Sequence, residues 1–164
     1  MFDLARTLTT DSKPELYSEL ASELTALVDG ERDSIAHMAN AAALLFHRLP
    51  RLNWAGFYRL VGEELVLGPF QGKPACIRIP VGQGVCGTAV ARRASIVVPD
   101  VDAFPGHIAC DSASRSELVV PLIRDGRISG VLDLDSPERG RFDEHDQRGC
   151  EQLVAILMRA CDPF

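Results

Sequence analysis

Cys110 lies in a short polar segment directly before an apolar run. In "HIACDSASRSELVVPLI" its nearest neighbours are mostly Asp and Ser, and it belongs to no periodic apolar pattern. Buried cysteines usually follow such a pattern, because they pack as small hydrophobes. An accessible loop thiol can instead ionise and act as a nucleophile. We therefore predict that Cys110 is placed to react, with a buried packing residue as the alternative.

The other cysteines have different surroundings. Cys150 and Cys161 lie in the apolar stripe of a predicted helix, so we expect both to be structural. Cys86 follows a glycine-rich turn at the start of a helix-compatible segment, where backbone N–H groups and the helix dipole favour a thiolate. A small core residue is the alternative there. Cys76 opens the alternating run "CIRIP", on the face opposite the isoleucines.

Cysteine number and spacing limit the chemistry further. Five cysteines are an odd number, and the N-terminus shows no basic leader followed by an apolar run. We therefore expect a cytoplasmic protein without a disulfide framework, in which reversible thiol chemistry is open. The spacings lack Cys-x-x-Cys pairs, so no metal site is expected.

Three carboxylates are predicted to share one face of a hairpin. A three-residue loop, Arg124–Gly126, sets Glu117 opposite Asp133 and collects the leucines on the other face. A two-residue Asp-Gly turn would set Leu118 opposite Asp133, so we predict the longer loop. Asp135 joins them because residues two apart on a strand point the same way. Solvent-exposed carboxylates are the alternative, but apolar neighbours on this face would raise their pKa values and allow proton donation near neutral pH.

Two aromatic residues and a histidine complete the candidate site. Trp54 and Tyr58 lie four residues apart in "NWAGFYRL" and therefore on one face of a predicted strand. They either pack in the core or form an aromatic wall for the apolar part of a small ligand. His107 lies three residues before Cys110 and could tune its thiol.

The apolar pattern of the elements that must position these groups changes along the chain from the helical period to that of strands. One amphipathic helix begins at Pro14 and ends near Gly30, and a second is capped by Asp33 and ends at Pro50. Short β-rich runs follow, interrupted by the helix around Cys86 and by the long loop "VPDVDAFPGHIACDSASR". Asp143 can cap a C-terminal helix.

These elements predict one α/β (α+β) domain with a central antiparallel sheet of about six strands. The N- and C-terminal helices pack on one side, and a ligand pocket lies under the long loop on the other. The length of 164 residues fits a single domain. The net charge of −6 argues against nucleic acid or an anionic membrane surface as the partner.

The motifs "NWAGFY", "GPFQGKPAC", "GVCGTA", "HIACDSAS", "SELVVPL" and "GVLDLDSPE" occur in this order. Together with cysteine steps of 10 and 24 residues, they resemble the free methionine-(R)-sulfoxide reductases, which are built on a GAF domain. The resemblance covers about residues 14–160, which implies an N-terminal extension at 1–13 and a GAF domain at 14–164.

The resemblance implies an enzyme that reduces free methionine-R-sulfoxide without a cofactor or metal. Cys110 would attack the sulfoxide sulfur and become a sulfenic acid, which Cys76 or Cys86 would resolve as a disulfide. Thioredoxin would regenerate the enzyme, and a homodimer is expected. The family's substrate-binding positions fall on Trp54, Tyr58, Glu117, Asp133 and Asp135.

The implied chemistry agrees with the residues themselves. Thiolate attack on a sulfoxide requires protonation of the leaving oxygen, so a carboxylic acid beside a thiol is the required pair. A negative pocket suits the ammonium group of a free amino acid, which a residue within a polypeptide lacks. The alternative function is a non-catalytic GAF domain that senses a small molecule or redox state.

Overall fold

Four helices and six strands are present in the part of the chain that the computed structural model describes, residues 12–108 and 111–164. The predicted nucleophile Cys110 lies outside the described residues, as do residues 1–11 of the predicted extension. The elements, with one 3₁₀ turn between β4 and β5, are α1 (Lys13–Leu27), α2 (Ser34–Arg48), β1 (Trp54–Val61), β2 (Glu64–Gly72), β3 (Arg78–Pro80), α3 (Gly84–Arg92), β4 (Ile96–Val98), the turn (Val101–Ala103), β5 (Ser116–Arg124), β6 (Arg127–Ser136) and α4 (Glu144–Ala160).

The long helices begin at capping residues. Asp33 accepts a hydrogen bond from the backbone N–H of Ala36 at 2.8 Å, as predicted for the start of α2. Asp143 caps α4 and forms a reciprocal capping box with Asp146. Pro14 lies in the first turn of α1, where its missing N–H costs no helical hydrogen bond.

The strands form one antiparallel sheet in the order β3-β2-β1-β6-β5-β4. The predicted six-stranded antiparallel sheet is therefore confirmed. The predicted strand at "CIRIP" is shorter than expected, because pairing with β2 extends only over Arg78–Pro80 and leaves Cys76 in the preceding segment.

The two sheet faces pack against different layers. Ala55 and Phe57 of β1 pack in a core with residues of α1, α2 and α4, whereas Trp54 and Tyr58 pack with residues of α3. This alternation follows from the pleat of a strand. The predicted placement of the terminal helices on one side is confirmed, and the opposite face carries the candidate site.

The hairpin between β5 and β6 corrects the predicted loop. Asp125 and Gly126 form a two-residue turn with φ values of 51° and 75°, and Arg124 pairs with Arg127. A bulge follows at Ser129, so that every later residue of β6 moves one position along β5. A short turn with a bulge thus places the leucines and the acids on opposite faces of the hairpin. The predicted three-residue loop is wrong.

No helix in the described ranges is both long enough and apolar enough to cross a membrane.

Candidate active site

Strands β5 and β6 bring Glu117, Asp133 and Asp135 to one face of the sheet. Glu117 pairs with Asp135, and Val119 pairs with Asp133. The predicted register set Glu117 opposite Asp133 and differs by two residues. Because a strand repeats every two residues, the three side chains still share a face. All three line one cavity, which confirms their predicted grouping.

Burial dominates the electrostatics of these carboxylates. Glu117 and Asp133 are 6% and 7% exposed, with Val119 and Val131 packed in the same layer. Burial raises the pKa of Glu117 to about 7, although a hydrogen bond with His107 lowers it. Burial and the charge of Glu117 raise the pKa of Asp133 well above its usual value, and burial and Asp133 do the same for Asp135. Glu117 is therefore suited to donate a proton near neutral pH, as predicted for one of the three carboxyl groups.

The cavity is small and partly open to solvent. Its volume is about 30 Å³, and its walls include Ile79, Ile108 and Ser114 beside the carboxylates. That volume holds about one or two water-sized bodies. Any larger ligand requires the wall side chains to move.

Cys86 lies at the N-terminal end of α3 and points at the carboxylates. Its Sγ is 4.0 Å from Oε1 of Glu117, and the residue is 3% exposed. Burial, followed by the charges of Asp133 and Glu117, raises the pKa of the Cys86 thiol well above its usual value. The expectation of a thiolate stabilised by the helix dipole is therefore wrong, because desolvation and like charge outweigh the dipole at this position.

His107 pairs with Glu117 rather than serving only as a neighbour of Cys110 in sequence. Its Nε2 lies 3.4 Å from Oε2 of Glu117, on the side away from Cys86. Sequence reasoning missed this pair, because nine residues separate the two positions in the sequence and no periodic pattern relates them. The ion pair orients Glu117 when the imidazole is protonated.

The aromatic pair lies behind the carboxylates. Trp54 and Tyr58 stack with ring centroids 6.0 Å apart, and both are buried. Trp54 Nε1 donates to the carbonyl oxygen of Lys73, and the Tyr58 hydroxyl donates to that of Cys76. Neither ring is among the described residues that line the cavity. Burial and the charge of Asp133 raise the pKa of Tyr58, which keeps its hydroxyl protonated beside the acids.

The segment after Cys110 is anchored by polar contacts. Asp111 accepts hydrogen bonds from the backbone N–H of Ala113 at 2.9 Å and from Lys73 Nζ at 3.3 Å. Asn53 Nδ2 donates to Asp111 and to the hydroxyl of Ser114. Ser114 and Asp135 both line the cavity, where Ser114 partly offsets the rise in the pKa of the Asp135 carboxyl group. Sequence reasoning singled out Asp111 and Ser114 only as polar loop residues, although both line the cavity beside the acids.

The remaining cysteines have distinct states. Cys86, Cys150 and Cys161 are free thiols, and Cys76 is disulfide-bonded. Cys150 and Cys161 are buried in or beside α4, as predicted for structural residues. Burial raises the pKa of Cys150 to about 12, so that thiol is inert at neutral pH.

Comparison with known proteins agrees with this architecture. The family model of the GAF domain matches residues 14–161. The chain is 56% identical over 146 residues to a free methionine-R-sulfoxide reductase of Escherichia coli, covering 89% of this chain and 88% of the relative. It is 41% identical over 158 residues to a free methionine-R-sulfoxide reductase of Saccharomyces cerevisiae, covering 92% and 88% of the two chains.

A solved structure is similar over nearly the same length. The free methionine-R-sulfoxide reductase of Neisseria meningitidis, in complex with its substrate, superposes with a TM-score of 0.89 at 47% identity, covering 93% of this chain and 92% of that one. The chain belongs to the GAF-domain family of free methionine-R-sulfoxide reductases.

Proposed function

We propose that this protein reduces free L-methionine (R)-S-oxide to L-methionine. The observation that carries the proposal is the grouping of Glu117, Asp133 and Asp135 in one cavity, whose walls also include Ile108 and Asp111, the described residues on either side of Cys110 in the sequence. The similarity to reductases of Escherichia coli and Saccharomyces cerevisiae supports the same activity.

The first chemical step is oxygen transfer to Cys110. Its thiolate attacks the sulfoxide sulfur, the oxygen is protonated, and methionine leaves as Cys110 becomes a sulfenic acid. Glu117 is the proposed proton donor, because burial raises its pKa to about 7 and it directly follows the loop on β5. No external oxidant or reductant is consumed in this step, since the sulfoxide itself oxidises the thiol.

The carboxylates also select the substrate. Asp133 and Asp135 would bind the ammonium group, with Trp54 and Tyr58 packing behind them against the apolar part of the amino acid. The cavity of about 30 Å³ is smaller than methionine sulfoxide, so binding requires displacement of wall side chains such as Ile108. A peptide-bound sulfoxide has no ammonium group and would leave buried carboxylates unpaired.

The second step is resolution of the sulfenic acid. Cys76 is the proposed first resolving cysteine, because it is disulfide-bonded whereas Cys86 is a free thiol held protonated by burial and its acidic neighbours. Its thiol would displace water from the sulfenic acid and form a disulfide with Cys110. A dithiol of the thioredoxin class would then reduce this disulfide and become oxidised.

We also propose a homodimer, as the resemblance implies. Helices α1 and α4 pack against each other and are the candidate contacts.

The activity is tested by supplying one substrate at a time. Free R and S epimers, N-acetylmethionine-R-sulfoxide and a peptide-bound sulfoxide are each incubated with the protein, thioredoxin, thioredoxin reductase and NADPH, and the reduced products are quantified by chromatography. We expect turnover of the free R epimer and little of the other three. Absence of turnover of the free R epimer with thioredoxin and also with a small dithiol would contradict the reductase proposal and favour a sensor.

A further inference from the structure

Three groups that can bind a metal ion converge on the cavity. Cys86 Sγ and carboxylate oxygens of Glu117 and Asp133 all lie within 4.8 Å of one another, and the three residues are buried. Bonds of about 2.0–2.3 Å to a tetrahedral zinc ion place its ligand atoms roughly 3.3–3.8 Å apart. The distance of 4.0 Å from Sγ to Oε1 of Glu117 is already close to this spacing. Small side-chain rotations would therefore complete a three-ligand site.

Asp133 provides an independent indication of a missing partner. Its Oδ1 atom is buried and accepts no hydrogen bond from any residue that the structure describes, although the side chain lines the cavity. A buried carboxylate oxygen without a partner is costly, because it has lost its water contacts. A cation in the cavity would satisfy it.

The acidic groups around the cavity also favour a cation, because a metal ion can displace the protons of its ligands. Its described walls include the carboxylates of Asp111, Glu117, Asp133 and Asp135, and His107 is the basic side chain among them. His107 contacts Oε2 of Glu117 and leaves Oε1 facing Cys86. Such a histidine–carboxylate contact orients a metal-binding carboxylate from outside the coordination sphere.

The cavity is large enough for an ion but too small for an amino acid. A volume of about 30 Å³ accommodates a single ion with a water molecule. The ion therefore fits the cavity without movement of its walls, whereas methionine sulfoxide requires the walls to move. Thiolate with carboxylates suits zinc, since calcium and magnesium prefer oxygen ligands alone.

We propose that the reduced protein binds one Zn²⁺ ion through Cys86, Glu117 and Asp133, with the fourth position facing the cavity. Binding displaces the proton of the Cys86 thiol and any protons held by the Glu117 and Asp133 carboxyl groups, and it changes no oxidation state. The ion occupies the carboxylates that the proposed substrate needs, so it acts as a reversible inhibitor. Metal binding does not depend on the proposed reductase activity, and only the inhibition rests on it.

Cobalt provides a direct test, because a Co²⁺–thiolate bond has a charge-transfer absorption that reports the ligand itself. The full-length protein is reduced with a phosphine, freed of metal and titrated with Co²⁺ and then with Zn²⁺. We expect one equivalent of Co²⁺ to give the absorption and Zn²⁺ to abolish it. Cys86→Ser should remove the absorption, and His107→Ala should weaken Co²⁺ binding about 10- to 100-fold.

Controls separate this site from the other thiols. Cys161→Ala and Cys76→Ser should retain the absorption at one equivalent, because neither residue is a proposed ligand. Urea unfolding of each variant checks its fold, and Asp133→Asn gives a second test if Cys86→Ser does not fold. An absorption that persists in Cys86→Ser, or the absence of a thiolate band in the wild-type protein, would overturn the proposal.

The same preparations distinguish failure of the metal site from failure of the proposed function. Reductase activity is measured in a strong chelator and then with excess Zn²⁺. Turnover without Co²⁺ binding would refute the metal site alone. Co²⁺ binding without turnover in the chelator would support the metal site and contradict the reductase proposal. Turnover that persists at saturating Zn²⁺ would overturn the inhibitory role.

Discussion

Glu117 on β5 lies directly opposite Asp135 on β6, and this pairing depends on a bulge at Ser129. The two-residue turn at Asp125 and Gly126 alone would bring the wrong face of β6 to the cavity, because a shift of one residue exchanges the faces of a strand. The bulge adds the residue that restores the register. A local irregularity therefore decides which side chains form the candidate site.

Gly130 directly follows the bulge, and we expect Gly130→Ala to destabilise the protein. A Cβ atom at Gly130 would lie 2.0 Å from the carbonyl oxygen of Tyr58 on β1, so the strands would have to separate. Overpacking of this kind costs about 1–3 kcal/mol, and urea unfolding would measure it. The matched control is Gly126→Asn in the same hairpin, where no atom lies within 4 Å of an added Cβ and Asn tolerates the positive φ of 75°. Equal stability of both variants would contradict the contact argument.

Glu117→Gln is expected to slow methionine formation. The amide keeps the size of the side chain but cannot supply a proton, and loss of a general acid typically lowers the rate about 10²- to 10⁴-fold. Single-turnover release of methionine from the reduced enzyme measures this step without the recycling reactions. Glu151→Gln on the exposed side of α4 is the control and should leave the rate unchanged. A Glu117→Gln rate within twofold of the wild type would assign proton donation to another group.

The cysteines are expected to separate into two kinetic roles. Cys110→Ser should release no methionine even in a single turnover, because a serine hydroxyl is a poor nucleophile at neutral pH. Cys76→Ser should release close to one equivalent and then stall with thioredoxin, since the sulfenic acid persists. Quenched-flow chromatography measures the burst, and a dimedone adduct identifies the sulfenic acid by mass. Normal steady-state turnover of Cys76→Ser would move the resolving role to Cys86.

A buried ion pair on the opposite sheet face predicts a large loss of stability in Asp146→Asn. The Asp146 carboxylate accepts hydrogen bonds from Arg141 and from the Tyr17 hydroxyl, both at 2.9 Å, and its side chain is fully buried. Removing the negative charge leaves the buried Arg141 guanidinium with the carbonyl oxygen of Pro50 but without an anionic partner, which costs about 3–5 kcal/mol.

The free energy of unfolding in urea measures this loss. Glu144→Gln in the first turn of α4 is the matched control, because its ion pair with Arg148 is exposed to solvent and screened. Similar stabilities of the two variants would show that the buried pair contributes little.

The sequence alone predicted the local elements and their exposed or buried faces. The starts of α2 and α4 follow from the side-chain oxygens of Asp33 and Asp143, and strand alternation groups Glu117, Asp133 and Asp135. These features depend on neighbours within a few residues. The wrong loop shifts the predicted register by an even number of residues, so the three acids still lie on one face of the hairpin.

The sequence contains a feature that indicates the bulge, although the predicted hairpin loop did not take it into account. Gly130 interrupts an otherwise β-rich run in "RISGVLDLD", and an isolated glycine within a strand often marks a bulge or a close backbone contact. Its contact with Tyr58 of β1, however, requires the sheet order, which the hairpin by itself does not contain.

Only the tertiary structure decided the protonation and neighbours of the candidate site. Packing of α3 over the sheet buries Cys86 against Glu117, and that desolvation reverses the effect predicted from the helix dipole. The loop brings His107 to the same carboxylate. Both results follow from contacts between residues distant in sequence, because the pKa of a group depends on which charges and how much water surround it in space.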